Sequence, residues 1–212
     1  MLFDAIKRGD SAAVSSLLDD DPALLTAKEN GVSPILLAMY YGHPEIARLL
    51  ADRSPTLSIH EAAAIGDEAA VRRLLDADPS LLDAFSEDGF PPLGLAIFFR
   101  HPALARLLIE RGADVSAAAR NAQKVAPLHA AAAVADRDTM ALLLARGADP
   151  NARQQNGVAP LHGSASRGDL ESAKLLLAAG ADRHAKTSDG KTAAHYARER
   201  GFPDLAAWLS AL

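Results

Sequence analysis

The sequence predicts an all-α solenoid: helix-turn-helix units stacked side by side, with short β-turn fingers between them. Three observations carry this. Of 212 residues, 46 are Ala and 31 Leu, two strong helix formers, while aromatics make up only 5%. A short phrase recurs as "SPILLA" (Pro34), "PPLGLA" (Pro92), "APLHAA" (Pro127), "APLHGS" (Pro160) and "TAAHYA" (Ala193), the last four spaced 35, 33 and 33 residues apart. The phrases are usually followed by a Gly or His-Pro break and a second segment ending in a leucine pair, and in the later units by "RGAD" at Arg111 and Arg146 or "AGAD" at Ala179.

The elements follow in order. First helices are expected over Leu2–Arg8, Ser33–Tyr41, Ser58–Ile65, Pro91–Phe99, Ala126–Val134, Ala159–Arg167 and Thr192–Arg200, in units spanning approximately 1–28, 29–55, 56–86, 87–120, 121–153, 154–186 and 187–212. Pro34, Pro92, Pro127 and Pro160 sit in the first helical turn, where a missing N–H costs nothing, and Pro44, Pro102 and Pro203 do the same for second helices. Gly112, Gly147 and Gly180 follow leucine pairs as C-caps. The pairs at 17/18, 49/50, 74/75, 107/108, 142/143 and 175/176 form a stripe that one unit cannot bury alone, so stability must come from stacking. Small residues, among them Ala38, Ala62, Ala96, Ala131 and Ala197, let first helices approach. The last unit ends in Trp208 and Leu209 as a cap.

A longer repeat lies beneath the first. "GDSAAVSSLLDDDPALL" from Gly9 matches "GDEAAVRRLLDADPSLL" from Gly66, which points to duplication of the first two units as a pair. Only 24 residues separate Pro34 from Ser58, too few for a finger, and Ser58-x-x-Glu61 supplies a capping box that starts the next helix directly. One finger should therefore be missing, leaving Ile65 and Tyr41 more open. Between units four and five two residues are extra, and Lys124 stands in the turn-glycine position. Asn121 is expected to accept the positive φ there.

A period of about 33 residues with a T-P-L-H-x-A core is the ankyrin pattern, and the chain resembles that family over essentially its whole length. The resemblance implies a binding module whose partners dock on the concave face, built from finger tips and first-helix ends. On this sequence those slots hold Val32, Tyr40 and Tyr41 in unit two, Ile65 in three, Phe90, Phe98 and Phe99 in four, Val134 in five, Arg167 in six and Arg200 in seven. Val125, Ala133 and Val158 occupy the same slots in units five and six. Five of the ten aromatics fall in them. Two readings stay open: the rings pack between units, as the inner positions Tyr40 and Phe98 are placed to do, or they form an apolar docking patch centred on units two to four.

Other chemistries find little support. Cys is absent, which excludes disulfides, thiolate metal sites and a cysteine nucleophile; an apolar share of 49% excludes wholesale disorder. "DGKT" at Asp189–Thr192 lacks the first glycine of a phosphate loop, whose place Ala185 takes. His60, His129, His162 and His195 share one position in separate units, too far apart for one metal, and are expected to bond backbone or, in the last unit, Thr192. Ser164, His162 and Asp169 have no order as nucleophile, base and orienting acid. Neither an enzyme nor a cofactor is expected.

Residues 1–100 carry 16 acidic and 8 basic side chains, and residues 101–212 carry 11 and 14. This polarity favours a protein or peptide partner with apolar anchors and basic flanks, steered by charge. A net charge of −5 disfavours nucleic acid. The longest uncharged runs, Gly89–Phe99 and Val125–Ala135, are too short to span a bilayer, and no signal peptide follows Met1, so a cytoplasmic monomer is expected, with a homodimer through the aromatic patch as the alternative. Arg outnumbers Lys 16 to 6, as a GC-rich, bacterial genome would produce.

Overall fold

The computed structural model describes residues 1–211; residue 212, the end of the seventh unit, lies outside the described residues. Fourteen α-helices among them form seven antiparallel pairs. The inner helices are α1 (Leu2–Lys7), α3 (Pro34–Tyr40), α5 (Ile59–Ile65), α7 (Pro92–Phe98), α9 (Pro127–Val134), α11 (Pro160–Ser166) and α13 (Ala193–Glu199). Their outer partners are α2 (Ser11–Asp20), α4 (Pro44–Arg53), α6 (Glu68–Ala77), α8 (Pro102–Glu110), α10 (Arg137–Ala145), α12 (Leu170–Ala178) and α14 (Pro203–Ala211). The outermost residues expected in the inner helices are their caps: Ser33, Ser58, Pro91, Ala126, Ala159 and Thr192 before, Arg8, Tyr41, Phe99, Arg167 and Arg200 after.

Outer helices start in two ways. Asp10, Asp67, Asp136 and Asp169 accept the N–H three residues on, while Pro44, Pro102 and Pro203 open the other three. Just before these starts the chain turns through the left-handed region. Glycine usually serves, as at Gly168, where a Cβ would lie 2.5 Å from the Phe202 ring; Arg100 (φ 63°) and Ala135 (φ 57°) do so without it.

Packing rests on one repeated position, four residues before each of these turns. Ala5, Ala38, Ala62, Ala96, Ala131, Ser164 and Ala197 occupy it in successive inner helices, and all are buried. Without bulky side chains there, inner helices pack side by side. Of each leucine pair the second member (Leu18, Leu50, Leu75, Leu108, Leu143, Leu176) is fully buried, and the first is half-buried except for Leu107, so the stripe is one leucine wide. Ser164 breaks the alanine rule and carries a hydroxyl with no hydrogen-bond partner.

The core has a seam. Ile6, Val14, Ile46 and Leu50 centre one cluster in the first two units, and a larger cluster runs from Leu36 of unit two through the remaining five, with Val32, Met39 and Leu57 touching both. The seam coincides with the missing finger: only residues 54–58 separate α4 from α5, and Ser58 and Glu61 close the expected capping box, Glu61 N–H donating to Ser58 Oγ and Ser58 N–H to Glu61 Oε2. The fingers of units two and four thereby become neighbours, joined at their tips by a Lys28–Glu87 ion pair, while Tyr41 stays half exposed and Ile65 half-buried. Later fingers are joined by backbone bonds: Arg120 N–H to Gly89 O (2.7 Å), Gln155 N–H to Gln123 O (2.9 Å) and Ser188 N–H to Asn156 O (2.8 Å). In the enlarged finger the positive φ falls on Lys124 (51°), not on Asn121. Asn121 instead caps the turn, its Oδ1 accepting from Gln123 and Lys124 N–H and its Nδ2 donating to Asp88 O, which leaves the left-handed residue in the place glycine takes elsewhere.

Two substitutions test the packing. Ser164→Ala should raise stability by about 1 kcal/mol in thermal or urea unfolding, because it removes a desolvated hydroxyl without leaving a void. Ala131→Leu should lower it by roughly 1–3 kcal/mol by wedging adjacent inner helices apart.

Candidate functional site

A groove of about 420 Å³ runs between the fingers and the inner helices of units four to six. Its finger wall is Phe90, Val125 and Val158, each at the base of a finger, with Gln123 and Gln154 further out. Its floor is made of residues with little or no side chain: Gly94 on α7, Ala130 on α9 and Gly163 on α11. Neither glycine is required by the backbone, since both lie within helices. Neither is required by packing, since a Cβ at Gly94 would come no closer than 3.4 Å to Pro91 and one at Gly163 no closer than 3.9 Å to Ala132. Glycine within a helix costs about 1 kcal/mol relative to Ala, so these two residues weaken their helices and deepen the groove.

Tyr40 and Phe98 stand at the unit-four end. They share one repeat position but adopt different environments. Unit three places Ala64 between them, and across this small residue Tyr40 reaches unit four: its ring centroid is 5.7 Å from Phe99 and 6.3 Å from Phe90, and its hydroxyl donates to Asp88 Oδ2 at 2.6 Å. Burial, reinforced by the Asp88 carboxylate, pushes the Tyr40 phenol far above its ordinary value, so it remains a donor. Phe98 stacks edge-on against Phe99 at 5.1 Å yet stays 52% exposed. Of the two inner-position rings, one therefore packs between units and the other faces solvent.

Of the residues assigned to partner slots, Tyr40, Phe90, Phe98, Val125, Ala133 and Val158 line the groove. Val32 and Ile65 are half-buried against core clusters, Phe99 supports Tyr40 and Phe98, and Val134 is half-buried with its carbonyl accepting from Arg100 Nη1 at 3.1 Å. Tyr41 is 50% exposed on the first-unit side, with Lys7 Nζ 6.0 Å from its ring, and Arg167 and Arg200 are exposed further along. The apolar depression thus starts at Tyr40 of unit two and runs along units four to six. Gly94, Ala130 and Gly163 were not singled out from the sequence, though glycine inside a helical phrase is the signal that marks two of them.

The histidines tie inner helices to the next finger. His60 Nε2 donates to Ala84 O (2.8 Å), His129 Nε2 to Val158 O (3.1 Å) and His162 Nε2 to Ala185 O (3.1 Å), while His162 Nδ1 accepts from Ala159 N–H and His195 Nδ1 pairs with the Thr192 hydroxyl. Among the described residues no cluster of His, Cys, Asp or Glu is arranged to hold a metal. Asp169 is spent on Ser172 and Arg137, and Ser164 has no partner, so these two and His162 form no relay. Lys191 of the "DGKT" turn pairs with Glu199.

Burial lowers the pKa of His60, His129 and His162 below the ordinary 6.5. The unfolded chain then binds protons that the folded one refuses. The stability from the neutral rings is fully present above pH 6.5 and is lost as pH falls through and below it. The melting temperature should drop from pH 7 to pH 5, and His162→Gln, read in the same buffers, should flatten that slope.

The stacked pairs, left-handed breaks and hydrogen-bonded fingers define a helix-turn-helix repeat protein with a finger-lined face. A family model for ankyrin repeats matches residues 59–154 and 128–211, most of the chain, and the chain belongs to the ankyrin-repeat family. It is similar to the human "Ankyrin repeat and SOCS box protein 16" (33% identical, covering 52% of this chain and 26% of that protein). It is also similar to the "E3 ubiquitin-protein ligase KEG" of Arabidopsis thaliana (32%, covering 45% and 6%) and to a "Transient receptor potential cation channel subfamily A member 1 homolog" of Caenorhabditis elegans (30%, covering 55% and 10%). The matched stretch spans about a quarter or less of each relative.

Proposed function

We propose that the chain is a non-enzymatic binding module that docks a segment of a partner protein in the groove of units four to six. The observation that carries this is the floor: two helical glycines that neither backbone nor packing demands, beside a half-exposed phenylalanine. Exposed apolar surface of this kind marks interaction sites, and aromatic anchors carry much of their binding energy. Ankyrin repeats generally mediate protein–protein contacts, and the similar proteins carry names as different as a ligase and a cation channel, so the likeness supports a binding role and no particular activity. The net charge of −5 favours a protein over a nucleic acid. Among the described residues no helix is long and apolar enough to cross a membrane.

With the intact protein as bait, Gly163→Leu and Phe98→Ser should each reduce capture of specific partners roughly tenfold or more, with unchanged circular dichroism. Undiminished capture by both variants would sink the groove as the docking face. Light scattering of wild type against Phe98→Ser plus Tyr41→Ser reads the self-association alternative: a dimer that dissociates in the variant identifies the partner as a second copy.

A further inference from the structure

The groove carries unequal charge along its length. At the unit-four end Asp88 lines it, half-buried, and holds hydrogen bonds from the Tyr40 and Ser86 hydroxyls. Among the described residues no Lys, Arg or His lies within ion-pair distance of it, whereas its neighbour Glu87 is neutralised by Lys28. His60, on which the Asp88 charge acts, is kept in its neutral form by its burial. Lys124 and Arg153 adjoin the groove residues Gln123 and Gln154, and both are exposed with no carboxylate partner among the described residues. Arg153 spends its guanidinium on the Gly157 and Lys186 carbonyls, which fixes its position without cancelling its charge. The groove is therefore negative at unit four and positive beside units five and six.

The walls also specify the form of the ligand. The Gln123 and Gln154 side chains make no hydrogen bond among the described residues, yet stand one unit apart along an otherwise apolar wall. Unengaged amides at that spacing suit the exposed N–H and C=O groups of an extended chain, which a helix would have satisfied internally. Three units at about 8–10 Å each span about 20 Å between the first and third, the reach of about six extended residues.

We infer that the groove takes an extended partner segment of about six residues whose Lys or Arg lies over Asp88, whose apolar side chains fill the space above Gly94 beside Phe98 and, two units further along, the space above Gly163, and whose acidic end lies toward Lys124 and Arg153. This rests on the groove being the docking face, and the experiment separates the two claims. A random dodecapeptide phage library is selected on the full chain, and the enriched peptides are titrated by fluorescence anisotropy against wild type, Gly163→Leu, Phe98→Ser and Asp88→Asn. Asn removes the charge and keeps an acceptor for the Tyr40 hydroxyl, while its amide NH2 turns toward Ser86 Oγ, whose own hydrogen has Phe90 O as a second acceptor; Phe98→Ser alters an exposed ring, so the series stays readable even where Gly163→Leu fails to fold.

The expected result is a shared pattern in which a basic residue precedes or follows a Leu, Phe or Trp within a few positions. Affinity should be lost in Gly163→Leu and Phe98→Ser, and weakened about fivefold both by Asp88→Asn and by replacing the peptide's basic residue with Ala, the two changes together costing little more than either alone. Peptides that need Phe98 and Gly163 but show no basic residue and ignore Asp88→Asn would overturn the partner chemistry while leaving the groove as the docking face. Peptides indifferent to all three substitutions, or no enrichment at all, would overturn both.

Discussion

The close approach of the inner helices is the constraint on which the rest of the molecule depends. It holds because Ala5, Ala38, Ala62, Ala96, Ala131 and Ala197, with Ser164 as the exception, present almost no side chain at the contact. Only at that separation can the second leucine of each pair be enclosed by the neighbouring unit, the histidines reach the carbonyls of the next finger, and the fingers bond one another in a row. Each unit alone would leave its leucines wet; the stack supplies the core.

The missing finger shows what happens when one repeat of this scheme is shortened. Inner-helix stacking continues across it through Ala38 and Ala62, but the apolar core divides and the fingers on either side meet directly. Lys28 and Glu87 bridge them at the tips, and Tyr40 lies across unit three to reach Asp88, Phe90 and Phe99. A ring expected at a partner surface thus serves as a clasp between units two and four, and the surface beyond it is left to Phe98.

The groove reflects a conflict between stability and surface. Alanine at positions 94 and 163 would strengthen two helices without steric penalty, and the chain carries glycine at both. Such local disagreement between propensity and structure is characteristic of places where something other than folding is being specified.

Much of this could be read from residue order. The seven units, the inner-helix boundaries to within their caps, the absent finger and the histidine bonds all follow from local signals: proline and glycine punctuation, a capping box, and a repeat that places equivalent residues in equivalent surroundings. The repeat also left something open: it gave Tyr40 and Phe98 the same position and could not say which ring packs between units and which faces solvent. Whether a ring is buried depends on what the next unit presents beside it: Ala64 lets Tyr40 lie flat, and units five and six offer Phe98 only the small residues of the groove floor. The turn at Lys124 makes the same point, because Asn121 satisfied the finger with its side chain instead of its backbone. Residue order decided what each unit is; side-chain contacts between units, which no single repeat encodes, decided where the chain has a surface to offer.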